Sequence, residues 1–387
     1  MKFHSTISST ESTPEAIDCI VSELRSHLNG VDVAFCFFTA HHAGNADQIV
    51  QALSRELRPK SLVGCSAEGV IGGSIEIERS PGISVIAGEM EGVSVHPFHI
   101  PTDDWRPLLS NPDDLLQRIG CRDDTRAMIG FGDPWTTALN QLMGVIDRHA
   151  PNCPLIGGMA SAAQEAGKNV LLVNEDTVIE GLVGVAFSGP LEVRTVVSQG
   201  ARPIGEPMVI TRGHENVIEH LGGKPALHVL QSMFESLSPR DRNLLQHGLL
   251  IGRAISEYRE TFGRGDFLVR NITGADEKTG SMALNDLIRI GQTVQFHVRD
   301  TETADEDLRL MLGSANQSGP FDAALLFSCN GRGTRMFESA NHDIAAVARS
   351  LPDMPVGGFF AMGEIGPIGG RNFIHGHTAS LALLRHT

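Results

Sequence analysis

The sequence predicts a mixed α/β protein of two domains, in which repeated strand-helix-strand crossover units are completed into sheets by antiparallel strands. The chain has 387 residues, which is more than one ordinary core accommodates. Short apolar runs typical of buried strands alternate with amphipathic helical segments. The same strand-helix-strand order also occurs three times, which indicates an internal structural repeat.

The first unit follows an opening helix. Thr13 is predicted as its N-cap and Pro14 as its first helical residue, ahead of an apolar stripe. A buried strand, Val31–Phe38, then leads through the helical segment Asn45–Leu57 to a second strand, Leu62–Ser66. A strand, helix and strand in this order predict a parallel crossover unit.

Two further units have the same order, and their strands and helices are Ala127–Asp133, Thr137–His149, Pro154–Ser161, Ala324–Asn330, Asn341–Leu351 and Pro355–Glu364. Loop residues Ala40, Asp133 and Asn330 precede glycines of the return strands by 24, 24 and 27 positions, and these glycines are Gly64, Gly157 and Gly357. Similar spacing predicts that the three glycines are structurally equivalent.

The chain between the second and third units differs in pattern. It reads as two strands in Val193–Gly213, two helices broken at Pro239 in Pro225–Gly248, and paired strands at Phe267–Ile272 and Gln292–Asp300. We therefore predict a domain boundary in this region, which gives domains of residues 1–218 and 219–387.

Composition excludes some classes of function. The net charge is 31 − 46 = −15 without a basic cluster, which disfavours nucleic acid as a partner. No apolar run has the length of a membrane span, so membrane insertion is not expected, and the N-terminal residues do not resemble a signal peptide. The six cysteines are scattered, as is typical of free thiols in a reducing compartment. These features predict a cytoplasmic protein.

Loops at the carboxyl ends of the predicted parallel strands are the candidate binding site, because ligands bind at that edge in parallel α/β units. The loops are rich in glycine, which allows close backbone approach, and they carry complementary charges. We predict a small zwitterion such as an amino acid, with its carboxylate at Arg332 and its amine at Glu364. The candidate residues are Gly64, Cys65, Ser66, Glu68, Cys329, Asn330, Gly331, Arg332, Gly358, Phe359 and Glu364.

A purely structural interpretation stays open at this point. The glycines would then serve tight turns and helix packing, and Arg332 and Glu364 would form a salt bridge with each other. Phosphate cofactors lack support, because the sequence contains neither a P-loop nor a dinucleotide-binding glycine pattern.

Two other chemistries are alternatives. Cys329 could act as a nucleophile with His375 or His377 as its base. Haem or a metal could use neutral imidazoles, and the candidates are His41, His42, His96, His99, His375 and His377. No cofactor is predicted, and haem is retained as the alternative.

Several segments of the chain resemble the FIST family (F-box and intracellular signal transduction), in both its N-terminal and C-terminal domains. They include "GCSAEGVIGG", "VVSQGARPIGEPMVIT", "FLVRNITGAD", "LLFSCNGRG" and "PVGGFFAMGEIGPIGG", in the family's order. The resemblance implies a non-enzymatic sensory protein that binds small ligands such as amino acids and signals through a separate protein. Some relatives are associated with haem. A homo-oligomer is compatible with this interpretation.

Overall fold

The computed structural model describes residues 1–151, 153–246, 248–258, 261–263 and 265–387. These residues form two compact units. The first contains Met1–Val197, Leu308–Ile374 and Thr378–Thr387, and the second contains Ser198–Asp307 and His375–His377. The second unit is thus inserted along the chain of the first, and the predicted boundary between residues 218 and 219 lies within the inserted segment.

Three copies of one plan build the first unit. The first copy consists of β1 (Lys2–Ser8), α1 (Thr13–His27), β2 (Val33–Thr39), a 3₁₀ turn (Ala40–Asn45), α2 (Ala46–Leu57), β3 (Ser61–Ala67), β4 (Gly69–Gly72), β5 (Ile75–Glu78) and β6 (Ile83–Glu89). Helix α1 begins at Thr13 with Ser12 as its N-cap, so the predicted N-cap was displaced by one residue. The Thr13 hydroxyl instead bonds to His42 Nδ1 at 2.9 Å.

The second copy follows the same order with an additional helix. It consists of β7 (Ser94–Ile100), a 3₁₀ turn (Thr102–Asp104), α3 (Trp105–Ser110), α4 (Pro112–Arg118), β8 (Thr125–Gly132), α5 (Leu139–His149), β9 (Leu155–Met159), β10 (Leu171–Val173), β11 (Asp176–Val178) and β12 (Leu182–Ser188).

The inserted second unit interrupts the third copy after its first strand, β13 (Leu191–Gln199). Its elements are β14 (Ala201–His214), β15 (Val217–Leu221), β16 (Lys224–Pro225), α6 (Ala226–Ser236), α7 (Pro239–Gln246), β17 (Leu249–Ala254), β18 (Phe267–Asp276), β19 (Ser281–Leu284) and β20 (Thr293–Arg299). The two predicted helices are present, with His247 outside the described residues. The predicted pairing of the last two strands is wrong, because β17 lies between β18 and β20 in the sheet.

The third copy then resumes and completes the plan. Its elements are α8 (Thr301–Asn316), β21 (Ala323–Cys329), a 3₁₀ turn (Gly333–Arg335), α9 (His342–Ser350), β22 (Val356–Ala361), β23 (Glu364–Ile368), β24 (Arg371–His375) and β25 (Thr378–His386). None of the helices among the described residues has both the length and the apolar character that crossing a membrane requires.

Each copy contributes a parallel strand pair at the centre of a six-stranded sheet, which confirms the predicted crossover units. The strand orders are β1-β6-β2-β3-β10-β11, β7-β12-β8-β9-β23-β24 and β13-β25-β21-β22-β4-β5. In each of these three sheets, the hairpin at one edge therefore comes from a different copy than the parallel strand pair. This cyclic exchange places residues of the first copy's hairpin beside the third copy's parallel strands.

Glycines mark equivalent positions in the three parallel pairs. These glycines are Gly64, Gly157 and Gly358. A Cβ atom added to any of them would clash with a backbone carbonyl of the neighbouring strand. The carbonyls belong to Cys36, Gly130 and Leu326, respectively. The predicted equivalence is confirmed for Gly64 and Gly157. It is wrong for Gly357, whose added Cβ would meet the Ile86 side chain instead.

The inner faces of the three sheets share one apolar core. In each copy, the residue whose carbonyl faces the equivalent glycine is followed by a phenylalanine. The three are Phe37, Phe131 and Phe327, and their ring centroids are 5.2 to 6.4 Å apart. The Phe359 ring contacts all three, with centroid distances of 4.9, 5.8 and 5.6 Å. Helices cover the outer faces of the sheets with separate apolar clusters.

Gly64→Ala is expected to lower the free energy of unfolding by about 1–3 kcal/mol, because the strands must separate to admit the methyl group. Gly144→Ala is the control, since an added Cβ at this α5 residue has no atom within 4 Å. It should stabilise the helix by about 0.5–1 kcal/mol. Urea denaturation of both variants measures the difference, and equal effects would contradict the close approach at Gly64.

Candidate functional site

A buried ion pair lies at the carboxyl end of β21. Arg332 is fully buried, and its Nε and Nη2 atoms each donate a hydrogen bond of 2.8 Å to the carboxylate of Asp343. The guanidinium also lies 5.2 Å from the centroid of the Phe337 ring. Its third nitrogen that can donate, Nη1, is buried and has no hydrogen-bond partner among the residues that the structure describes. The alternative prediction of a salt bridge between Arg332 and Glu364 is wrong, because Arg332 pairs with Asp343.

Asp343 is held in place by several donors from the first turn of α9 and from β21. Ser328 Oγ donates to it at 2.6 Å, and His342 Nδ1 lies 2.9 Å from its other oxygen. Burial would raise the pKa of Asp343, but the charge and hydrogen bonds of Arg332 hold this pKa well below its usual range. The carboxylate is therefore ionised at neutral pH and neutralises Arg332.

Glu364, the first residue of β23, is a second fully buried carboxyl group. Its Oε2 accepts hydrogen bonds from Thr378 N at 3.1 Å and Thr378 Oγ1 at 2.8 Å. In the described part of the chain, no nitrogen or oxygen donor lies within hydrogen-bond distance of its Oε1. Burial raises the pKa of Glu364 to about 8, against the lowering influence of Thr378, the Cys329 thiol and the Arg332 charge. Glu364 is thus mainly protonated at neutral pH.

The exchanged hairpin of the first copy brings in a third carboxyl group, Glu76 of β5. Its Oε1 accepts a hydrogen bond of 2.9 Å from Ile344 N, while Oε2 is buried without a hydrogen-bond partner among the described residues. Burial, and next the charge of Asp343, raise the pKa of Glu76 to about 8. The ion pair is therefore flanked by two carboxyl groups that are neutral at pH 7.

The rim of this cluster joins the third copy to the first. Arg335 Nη1 donates to Glu68 Oε2 at 2.9 Å and to the carbonyl of Asn330 at 2.7 Å. Thr334 Oγ1 donates to Glu78 Oε2 at 3.0 Å. These contacts are partly exposed, and they fix the loop that carries Arg332.

The structure brings together part of the predicted set. Cys329 is buried at the end of β21, the Asn330 amide donates to Ala361 O at 2.9 Å, and the Gly331 amide lies 3.5 Å from Cys329 Sγ. Together with Arg332 and Glu364 they form the candidate site, and Glu68 reaches its rim.

Five predicted residues serve the fold instead. Gly64 and Gly358 permit close strand approach, and Phe359 belongs to the aromatic core. Cys65 is fully buried in the same core, and Ser66 Oγ accepts a hydrogen bond of 2.8 Å from Val170 N. The described contacts of these residues include none to Arg332 or Glu364.

Sequence reasoning missed Asp343 and Glu76. Asp343 lies in the first turn of a helix that the sequence did predict, beside the loop of Arg332, so its position was available. The role of Glu76 could not be predicted in this way, because only the exchange of the β4–β5 hairpin brings it to the third copy.

Neither His96 and His99 nor His375 and His377, the pair predicted to point together, share a strand face. His96 and His99 are an odd number of residues apart on β7, so they point to opposite faces. Strand β24 ends at His375, and His377 lies in a turn with φ of 63°. Within the described part of the chain, no group of three or more His, Cys, Asp and Glu residues is arranged to hold a metal ion.

Comparison with known proteins identifies the family. Residues 32–224 match the FIST N domain and residues 226–367 match the FIST C domain, so the chain belongs to the FIST family. FIST domains are generally sensory domains of signal transduction.

Relatives include the uncharacterized protein Rv0628c of Mycobacterium tuberculosis, which is 37% identical over 347 residues and 88% of each chain. The uncharacterized protein Mb0898c of Mycobacterium bovis is 37% identical over 381 residues and 96% of each chain. Among solved structures, a cyanuric acid hydrolase from A. caulinodans aligns over 99% of each chain with 10% identity and a TM-score of 0.34.

Proposed function

We propose that this FIST protein is a non-enzymatic cytoplasmic sensor that binds an amino acid or a similar small polar ligand at the Arg332–Glu364 cluster. The observation that carries the proposal is that Arg332 Nη1 and Glu364 Oε1 are both buried, and neither has a nitrogen or oxygen hydrogen-bond partner among the described residues. Nη1 can donate a charged hydrogen bond, and Oε1 can accept one once the carboxyl group has released its proton. The two residues are close enough for the charge of Arg332 to lower the pKa of Glu364.

Buried polar atoms without partners are uncommon, because each carries a desolvation cost of about 1–3 kcal/mol. A ligand carboxylate that accepts from Arg332 Nη1, and a ligand amine that donates to Glu364 Oε1, would remove both costs. Asp343 already neutralises Arg332, so the site attracts a ligand without net charge more than a free anion. A zwitterionic amino acid has this charge pattern.

Signal output is proposed to pass through a separate protein. A ligand-dependent change in the two FIST domains, residues 32–224 and 226–367, would reach that protein by contact. The loop of Arg332 is the element that would change, since Arg335 and Thr334 connect it to Glu68 and Glu78 at the partly exposed rim.

Amino acids, small carboxylic acids and small amines are expected to include at least one compound that raises the melting temperature of the protein. A ligand at one hundred times its dissociation constant stabilises the folded state by about 2.7 kcal/mol. The measurement is a thermal-shift screen, with the responding compounds repeated on Glu364→Gln and on the exposed control Glu338→Gln.

Only Glu364→Gln should lose the response to compounds with an amine. A screen without any response, together with a native mass equal to that of the polypeptide, would overturn the proposal. A response that Glu364→Gln retains in full would place the ligand elsewhere.

A further inference from the structure

Two cysteines lie together at the amino-terminal edge of the second sheet, away from the carboxyl ends that carry the candidate site. Cys121 is in the connection between α4 and β8, and Cys153 lies two residues before the return strand β9. Cys121 packs against the apolar cluster that contains Cys153, and each thiol shifts the pKa of the other. Both line a surface depression of about 250 Å³, together with Arg122, Thr125 and His149.

The two sulfur atoms differ in accessibility and in acidity. Cys121 is partly exposed, whereas Cys153 is buried. The neighbouring Cys153 thiol lowers the pKa of Cys121, whereas the Cys121 thiol and then burial raise the pKa of Cys153. The thiolate is the reactive form of cysteine, so an oxidant reacts first with Cys121. Cys153 is then close enough to react with the oxidised Cys121.

The remaining cysteines provide a contrast within the same unit. Cys36 and Cys65 are also neighbours, but both are fully buried: burial raises the pKa of each thiol, and the charge of Cys36 raises that of Cys65 further. Cys19 is exposed, but it lies on α1, apart from the cysteines described above. Only the pair of Cys121 and Cys153 combines an accessible sulfur with an adjacent second thiol among these residues.

We propose that Cys121 and Cys153 form a reversible disulfide when the protein meets a hydroperoxide. The Cys121 thiolate attacks one peroxide oxygen, the O–O bond breaks, and hydroxide or an alkoxide leaves, so that Cys121 becomes a sulfenic acid. The Cys153 sulfur then attacks the Cys121 sulfur. The S–S bond forms as the S–O bond breaks, and the oxygen leaves as water with the Cys153 proton. Two thiols are thereby oxidised and one peroxide is reduced, and a dithiol reductant reverses the change by thiol–disulfide exchange.

The disulfide would join the segments that precede two neighbouring parallel strands, β8 and β9. Cross-linking them restricts the unfolded chain, so oxidation is expected to raise the melting temperature. This consequence does not depend on a ligand at Arg332, and it can be tested whether or not the proposed ligand site is correct.

The test uses the full chain treated with one equivalent of hydrogen peroxide and then with an alkylating agent after unfolding. Alkylation is expected to find four free thiols where the reduced protein has six, since 6 − 2 = 4. Trypsin digestion without reductant should yield residues 119–122 joined to residues 149–168, each of which contains a single cysteine. Dithiothreitol should release the two peptides.

Three variants complete the test. Cys19→Ser should behave as the wild type, and Cys121→Ser should resist oxidation at this dose. Cys153→Ser should leave a Cys121 sulfenic acid that dimedone traps. The proposal is overturned if both cysteines remain alkylatable after peroxide, or if the linked peptides involve Cys36 and Cys65 instead.

Discussion

Arg332→Ala is expected to lower the free energy of unfolding of the ligand-free protein by about 3–5 kcal/mol, because the substitution leaves a buried carboxylate without its counter-ion. Asp343 has 1% of its side chain exposed, and Arg332 supplies both of its charge-assisted bonds. Ser328 and His342 remain as partners, but they do not replace the full positive charge. Urea denaturation of the two proteins measures the loss.

Arg335→Ala is the matched control, three positions further along the same loop. Its side chain is 42% exposed and pairs with Glu68, so its removal should cost at most about 1 kcal/mol. The double variant Arg332→Met with Asp343→Asn removes both charges together, and it should recover much of the stability that Arg332→Ala loses. Equal losses in Arg332→Ala and Arg335→Ala would contradict a buried ion pair.

The repeat was predictable because each of its elements has a signal in the local sequence. All seven residues of β2 are buried, and the helices that follow the parallel strands carry apolar stripes. The sequence did not show which glycine of the third copy is the equivalent one, because two adjacent glycines, Gly357 and Gly358, both fit the spacing. Only the approach of the Leu326 carbonyl distinguishes them, and that is a contact between strands.

The site was predictable to the extent that it follows from strand ends. The rule that binding loops lie at the carboxyl ends of parallel strands placed Arg332 and Glu364 in one cluster. The identity of the ion-pair partner did not follow, since an acidic residue early in a helix also satisfies the helix dipole in water. Asp343 instead forms the ion pair with Arg332.

The hairpin exchange explains why Glu76 was missed. The stretch "SIEIE" suggests that its isoleucines face the core and its glutamates face solvent. In the structure Ile77 is buried as this pattern suggests, but Ile75 is 39% exposed and Glu76 only 9% exposed, because the sheet that β5 joins belongs to another copy. The face that a strand buries depends on the sheet it joins, and the local alternation carries no information about that sheet.

Glu364 is expected to make the stability of the ligand-free protein fall as the pH rises from about 5 to about 8. Burial raises its pKa in the folded state from the ordinary value of 4.5 to about 8. Between these values the folded chain retains a proton that the unfolded chain has released, so raising the pH favours unfolding. The contribution is fully present below the lower pKa and is lost as the pH passes the higher one. One such group changes the free energy of unfolding by about 1.4 kcal/mol per pH unit within the window.

Glu364→Gln should remove this contribution, so the variant should be less dependent on pH than the wild type and more stable than it above pH 8. Glu76 has a similarly raised pKa, so the variant should retain a second dependence of similar size in the same direction. Glu338→Gln, at an exposed position, is the control and should follow the wild type. Urea denaturation at intervals between pH 5 and pH 9 checks the order, and identical slopes for Glu364→Gln and the wild type would refute the assignment.

The same proton provides a test of the ligand's charge. A cationic amine that binds Glu364 requires the carboxylate, so binding below pH 8 must expel the proton that the empty site holds. The affinity of an amine ligand should then rise about tenfold per pH unit up to about pH 8 and level off above it. Calorimetry in two buffers of different ionisation enthalpy counts the released proton directly. Glu364→Gln should release none, and a wild-type protein that binds its ligand at pH 6 without releasing a proton would show that the ligand's amine does not meet Glu364.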